Sequence, residues 1–95
     1  MFARVTKFQG DPARLDEMIS RLPEVKAKVE AIEGGVTNWA MWNDDGSGLA
    51  MAVYASEDAA NAAQEQIQQV WGGLADLLIA PPELTSYSSV AKMRG

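Results

Sequence analysis

The chain has 95 residues, a net charge of −5, and neither cysteine nor histidine. Its length indicates one domain over residues 1–95, and its hydrophobic share of 47% is typical of a globular protein. Without cysteine there are no disulfides, thiolates or sulfur-ligated metals, and without histidine the commonest metal and haem ligand is missing. We therefore predict no metal site.

The acidic balance also argues against nucleic acid as a partner, because phosphate binding needs a basic face and the basic residues here are dispersed. No stretch reaches the roughly 20 apolar residues that span a bilayer. The first ten residues alternate instead of forming the continuous apolar run of a signal peptide. We expect a cytoplasmic protein that does not bind a membrane.

The first predicted element is a strand from Phe2 to Gln9, where β-branched and aromatic residues alternate with others. Asp11 and Pro12 then predict a helix start, with Asp11 as its cap. Pro23 predicts a kink or short break after Ile19, because proline cannot donate to the carbonyl of that residue. Spacings of three and four define one apolar helix stripe: Leu15, Met18, Ile19, Leu22, Val25, Val29 and Ile32.

The middle of the chain predicts a β-hairpin after a helix end at Gly34 and Gly35. Two apolar runs of strand length, Val36–Asn43 and Leu49–Ala55, flank the acidic, glycine-bearing turn Asp44–Gly48. Glycines in that turn can supply the positive φ angles of a tight bend.

The second half predicts a helix from Ser56 to Val70, broken at Trp71–Gly73. A short amphipathic turn over Leu74–Ile79 and a serine-rich fourth strand over Leu84–Ala91, suited to a sheet edge, complete the chain. The thin apolar stripe of the second helix consists of Ala59, Ala63, Ile67 and Val70.

The predicted order is β-α-β-β-α-β. Right-handed crossovers place both helices on one face of a four-stranded antiparallel sheet, which is a ferredoxin-like α+β fold.

Both faces of the predicted hairpin are apolar, although two helices can cover only one face of the sheet. One parity of the first hairpin strand carries Trp42 and the other carries Trp39, and neither carries a charge. Leaving such side chains in water would waste several kcal/mol of burial, at about 25 cal/mol per Å². We predict that the helix-free face packs against a second copy in a two-fold homodimer. The alternative is a face covered by the tail and loops.

Several polar and aromatic side chains are candidates for a site. Asn38 and Trp42 share one parity and can line one wall together, and Tyr54 can point its hydroxyl into a cavity. Arg4 can bind an anion, although a salt bridge or exposure is the plainer interpretation. The other candidate contacts to a substrate are Trp39, Trp71 and Tyr87, each of which also suits core, interface or edge packing. Trp71, before two glycines, can also cover a pocket mouth.

The element order, the opening FARVTKFQGDP, the doubly apolar hairpin and the ending WGGLADLLIAPPELTSYSSV resemble the antibiotic biosynthesis monooxygenase type of dimeric α/β-barrel domain. The resemblance covers essentially the whole chain and implies two sheets packed face to face, with a ligand cavity between each sheet and its own helices. Some members oxidise polycyclic phenols or quinols with O2 and no cofactor, using asparagine, tryptophan, tyrosine and arginine side chains. Others open haem through a histidine ligand, which this chain lacks.

The resemblance implies a cofactor-independent monooxygenase acting on an aromatic or quinol-like small molecule, with Asn38, Trp42 and Tyr54 as catalytic candidates and no cofactor. The alternative is a non-catalytic dimeric domain that binds a small molecule or is associated with a stress response. An isomerase or dehalogenation-type activity is a third class, and it needs an acid–base side chain that faces the cavity.

Overall fold

A computed structural model describes residues 1–95 as a four-stranded antiparallel sheet with two helices. The strand order is β2-β3-β1-β4, and the two helices pack on one face, which confirms the ferredoxin-like α+β prediction. The bounds are β1 Phe2–Gln9, α1 Leu15–Glu30, β2 Gly35–Trp42, β3 Ser47–Tyr54, α2 Glu57–Gly72 and β4 Glu83–Tyr87, with 3-10 turns at Pro12–Arg14 and Ala75–Leu77. None of the helices is long and apolar enough to cross a membrane.

Both predicted helix caps form. The Asp11 carboxylate accepts a hydrogen bond from the Ala13 N–H at 2.9 Å, and Pro12 opens the 3-10 turn that leads into α1. The Ser56 hydroxyl oxygen accepts from the Ala59 N–H at 3.1 Å. Each cap satisfies a backbone donor that has no partner inside its own helix.

The short break predicted at Pro23 is wrong, because α1 continues through it from Leu15 to Glu30; the alternative, a kink, stays a prediction. Proline removes a single backbone hydrogen bond, and the ordinary helical bonds on both sides remain. The affected carbonyl belongs to Ile19, which is 44% exposed, so this turn of the helix faces water instead of the core. Ile19 is therefore not part of the buried stripe.

The C-terminal elements differ in length from the prediction. The helix α2 continues through Trp71 and ends at Gly72. The strand β4 ends at Tyr87, four residues before the predicted end. Its only partner is β1, in which Tyr87 pairs with Ala3 near the start of the chain. Residues after Tyr87 therefore run past the end of the partner strand.

The hairpin turn needs glycine at Gly46, where φ is +85°. The Gly10 N–H donates to the Gly46 carbonyl at 2.7 Å, so the turn lies directly against the end of β1. Gly48 keeps a negative φ, contrary to the expectation for this turn. Position 48 needs glycine for a steric reason, because an added Cβ would overlap the Phe8 ring and lie 2.6 Å from the Met41 carbonyl oxygen.

Four charged side chains connect α1 to the 3-10 turn after α2. Arg21 donates to the Asp76 carboxylate at 2.9 and 3.0 Å and to the Gly73 carbonyl at 3.0 Å. Arg14 bonds to the Asp76 side chain and carbonyl, and Glu17 pairs with both arginines. The Arg21 hydrogen bonds lower the pKa of Asp76 to about 2. The network holds the loop at one end of the helix layer.

Asp76 should make stability depend on pH in acid. Because its folded pKa of about 2 lies below the ordinary 3.8, its contribution is present above pH 4 and is lost as the pH falls towards 2. Urea unfolding of Asp76→Asn should show a smaller decline between pH 4 and pH 2 than the unchanged protein. Asp16→Asn removes a carboxylate from the same region that makes no ion pair and should keep the full decline. Equal declines in the Asp76 variant and the unchanged protein would contradict the assignment.

The face of the sheet opposite the helices is apolar over β2 and β3 and carries several exposed side chains there, while Lys7 of β1 and Glu83 of β4 are its charged residues. Trp39 is 63% exposed, Tyr87 51% and Met41 49%. Their cross-strand partners Met51, Ala3 and Leu49 lie on the same face. A contiguous apolar surface of this kind is typical of an interface.

Candidate ligand cavity

A cavity of about 350 Å³ lies between the sheet and the helices. Eighteen of its 24 lining residues are hydrophobic, and its volume lies at the lower end of the range for small-molecule sites, about 300 to 1,000 Å³. The roof is formed by the half-buried stripe of α1 and by one side of α2: Met18, Leu22, Val25, Val29, Gln64, Ile67, Gln68 and Val70. Such a cavity favours a largely apolar ligand.

The floor of the cavity consists of three cross-strand rows, which follow from the pairing of β2, β3 and β1. Directly paired residues point to the same face of an antiparallel sheet. The polar row is Asn38, Ala52 and Arg4; the small row is Ala40, Ala50 and Thr6; the aromatic row is Trp42, Gly48 and Phe8.

Small side chains in the middle of the floor create the space. Ala50 and Ala52 lie on the central strand β3, and Ala40 flanks them on β2. Neighbouring strands are about 4.8 Å apart, so the Cα atoms at the two ends of a row are separated by about 10 Å. A flat ligand can therefore lie over the alanines, with polar side chains at one end and aromatic side chains at the other.

Asn38 is exposed at the β2 end of the polar row and lines the cavity. Its amide takes part in none of the side-chain hydrogen bonds within the chain. Ala40 is also exposed, so one mouth of the cavity lies along β2; the lining residues Gln64, Gln68 and Leu84 are exposed as well. The amide is free to donate to or accept from a ligand at this mouth.

Arg4 lies at the other end of the polar row, under the first turns of α2. One terminal nitrogen donates to the Ala60 carbonyl at 2.8 Å, and the other donates to the Asn61 side-chain oxygen at 2.7 Å. The guanidinium carbon lies 5.5 Å from the centre of the Phe2 ring. The salt bridge predicted as the plainer role of Arg4 is absent.

Tyr54 is buried on β3 next to the polar row, opposite Phe2. Burial raises the pKa of its hydroxyl, and the positive charge of Arg4 partly opposes that rise. The hydroxyl therefore stays protonated at neutral pH. It can donate a hydrogen bond to a ligand oxygen, and it is a poor base.

Aromatic side chains form the opposite end of the cavity. Trp42 projects from β2 towards the helices, and the ring centroids of Trp71 and Phe8 are 5.6 Å apart. Trp71 is half-buried in this wall. Trp71 therefore lies in the end wall of the cavity, and its role as a cover of a pocket mouth stays a prediction.

Two predicted contacts do not belong to this cavity. Trp39 and Tyr87 lie on the opposite face of the sheet, paired with Met51 and Ala3. The prediction that these two residues contact a substrate in the cavity is wrong, because strand alternation points both side chains away from the helices. The structure thus brings together Arg4, Asn38, Trp42, Tyr54 and Trp71.

The sequence interpretation missed Thr6 and the alanines of the floor. Small residues carry no chemical signal in a sequence, and only strand register shows that they adjoin one another. The cavity walls carry no carboxylate, lysine or histidine, and Arg4 and Tyr54 are their only ionisable groups. That lining does not favour an isomerase or dehalogenation-type activity, which needs an acid–base side chain at the ligand. No group of three or more potential metal ligands is present.

No family model and no curated protein sequence matches this chain. Solved structures do match it. SnoaB, a cofactor-independent oxygenase from Streptomyces nogalater, has a TM-score of 0.75 at 21% identity, with 99% of this chain and 97% of that one covered.

Two further structures illustrate the range of matches. An antibiotic biosynthesis monooxygenase has a TM-score of 0.77 at 12% identity, covering 96% of this chain and 100% of its own. A protein of unknown function from Nitrosomonas europaea has a TM-score of 0.79 at 16% identity, with 99% of this chain and 93% of that one covered. The chain therefore has the fold of the antibiotic biosynthesis monooxygenase type over essentially its whole length.

Proposed function

We propose that the protein is a cofactor-independent monooxygenase that oxidises a planar aromatic or quinol-like molecule in the cavity beneath α1. The observation that carries the proposal is the floor of the cavity, where small residues lie between a polar and an aromatic row. The fold shared with a cofactor-independent oxygenase supports it.

The reaction needs no external reductant if the substrate supplies the electrons. Conversion of a ring CH2 group to a carbonyl is a four-electron oxidation, in which one atom of O2 enters the product and the other leaves as water. Because no carboxylate, lysine or histidine lines the cavity, the substrate first loses a proton to solvent water at the cavity opening, which gives an anion that can reduce O2. An apolar cavity holds that anion away from water, and donors at its oxygen lower the barrier to its formation.

Asn38 of the polar row and Tyr54 next to that row supply those donors. The amide of Asn38 has no partner in the chain, and the hydroxyl of Tyr54 is buried beside Arg4. Trp42 and Trp71 bound the apolar end, where they can contact the ring system. In this proposal Asn38, Trp42 and Tyr54 are the catalytic residues, and Arg4 and Trp71 bind substrate.

Oxygen uptake with an anthrone-type substrate tests the proposal. One O2 should be consumed for each substrate molecule, and the product should be the corresponding quinone. Tight binding of the same compound without oxygen consumption would favour the alternative, a domain that binds a small molecule without converting it.

Asn38→Ala should lower kcat by roughly a hundredfold, the usual cost of removing one donor to a developing oxyanion. Because Asn38 is exposed, the substitution should leave the folded state almost unchanged. Gln66→Ala removes an exposed amide from α2 outside the cavity and should keep the full rate. A fully active Asn38 variant would remove this residue from the site.

We also propose that the protein is a cytoplasmic homodimer in which the helix-free faces of two sheets pack together. The exposed Trp39, Met41 and Tyr87 support that arrangement. The ligand cavity of each copy lies on the other face of its sheet, so dimerisation leaves the helix-covered side of both copies free.

A further inference from the structure

We infer that the ligand of the cavity carries one anionic oxygen group, and that Arg4 is the residue that binds it. This inference rests on the proposed function in one respect, namely that the cavity beneath α1 is the ligand site. It adds the charge of the ligand and its orientation, with the anionic group at the β1 end of the polar row.

The first observation is that Arg4 has no counter-ion, although the chain has 13 acidic and 8 basic residues. Four of the other basic residues are in ion pairs, namely Arg14, Arg21, Lys26 and Lys28. The remaining three, Lys7, Lys92 and Arg94, have no ion pair but are exposed to water. Arg4 is half-buried among apolar side chains, where an unpaired positive charge is costly. Although carboxylates are in excess in this protein, Arg4, the charged residue of the cavity, has no carboxylate partner.

The second observation is that Arg4 has donors to spare. A guanidinium has five N–H groups, and two of them are used by Ala60 and Asn61, both neutral acceptors. Its Nε is buried and has no hydrogen-bond partner. A buried donor without an acceptor costs stability. Each terminal nitrogen also keeps one N–H that Ala60 and Asn61 do not use, and these two can form charge-assisted hydrogen bonds with an anionic oxygen in the cavity.

The third observation is the surroundings of the guanidinium. Tyr54 adds a protonated hydroxyl beside it, and no carboxylate lines the cavity to compete with or repel an anion. The alanine floor begins at Ala52, the direct neighbour of Arg4. A flat aromatic body can therefore extend over the alanines while its anionic oxygen remains at Arg4.

Two fluorescent probes that share one ring system test the inference. Anilinonaphthalene sulfonate is anionic, and N-phenylnaphthylamine is its neutral counterpart. The unchanged protein should bind the anionic probe about ten- to a hundredfold more tightly, as a charge-assisted hydrogen bond predicts. Arg4→Gln should abolish this preference while the Kd of the neutral probe changes by less than about twofold. Arg4→Lys should retain part of it.

Asn61→Asp provides a sharper variant, because it keeps Arg4 in place. The new carboxylate would lie where the Asn61 side-chain oxygen now accepts from the Arg4 guanidinium at 2.7 Å. It would neutralise the positive charge of Arg4 without a ligand. The preference for the anionic probe should disappear. Ala62→Asp adds the same charge at the next, exposed position of α2 and should leave the preference intact. An unchanged preference in both Asn61→Asp and Arg4→Gln would overturn the inference.

Ala50→Phe separates this inference from the proposed function. The larger side chain fills the middle row and should prevent both probes from binding. Retention of both probes would place them outside the cavity and count against the proposed site itself. Loss of both probes in Ala50→Phe, with no effect in the Arg4 and Asn61 variants, would leave the cavity as the ligand site and reject the anion.

Discussion

Replacement of Trp39 by glutamate is expected to give a 10.2 kDa monomer at micromolar concentrations where the unchanged protein sediments as a dimer. Trp39 is the most exposed aromatic side chain on the helix-free face. In the proposed dimer it packs against the same face of the second copy, and a charge there would be buried without a partner.

The effect should be large because a two-fold interface contains each substitution twice. Losing the burial of one large apolar side chain costs about 1.5 to 3 kcal/mol. Both copies together lose about 3 to 6 kcal/mol, which raises the dimer Kd by roughly 10² to 10⁴-fold. Sedimentation velocity over a concentration series measures that change directly.

Gln69→Glu is the matched control, because it adds the same charge to an exposed position on α2 outside both the cavity and the helix-free face. It should remain dimeric. A monomeric unchanged protein at these concentrations, or a dimeric Trp39 variant, would contradict the proposed packing.

Substitution of Gly46 by alanine should destabilise the fold by about 2 to 5 kcal/mol. Its φ of +85° is strained for any residue with a Cβ, at a cost of about 1 to 2 kcal/mol. The added Cβ would also overlap the Gly10 carbonyl oxygen, and such overpacking typically costs about 1 to 3 kcal/mol more. The measurement is the free energy of unfolding in urea, at one fixed protein concentration because dimerisation would couple to it.

Gly72→Ala is the same chemical change, but it is expected to raise the stability of the fold instead of lowering it. Gly72 has an ordinary φ at the end of α2, and an added Cβ would meet nothing within 4 Å. Alanine there should stabilise by about 0.5 to 1 kcal/mol, because glycine loses more chain entropy in a helix. Similar unfolding free energies for the two variants would mean that the hairpin turn is less constrained than its contacts indicate.

Local signals predicted the fold well where they depend on neighbouring residues. Alternation gave β1 with its observed bounds, Ser56 marked the start of α2, and Asp11 marked the 3-10 turn that leads into α1. The errors have two sources, one local and one distant. Continuation of α1 through Pro23 depends on the helical turns on either side, and the end of β4 at Tyr87 depends on where β1 begins.

Prediction of the site was limited by a different feature, namely that both faces of the hairpin are apolar. Alternation put Asn38 and Trp42 on one side, and the structure agrees, since both line the cavity. Alternation could not say which side the helices cover. The neutral surroundings of Arg4 depend on where α2 crosses β1, and nothing near Arg4 in the sequence encodes Ala60 or Asn61 as its neighbours.

The walls of the cavity hold none of the carboxylate and histidine side chains that commonly titrate between about pH 3 and pH 8, and burial raises the pKa of the Tyr54 hydroxyl away from that interval. In the proposed oxidation, the protein itself would then contribute no titration to a rate profile over that interval. Any sigmoidal dependence of turnover on pH would report the acidity of the compound being converted. A series of substrates with graded C–H acidities should shift the midpoint in step, so kinetics alone could rank candidate molecules.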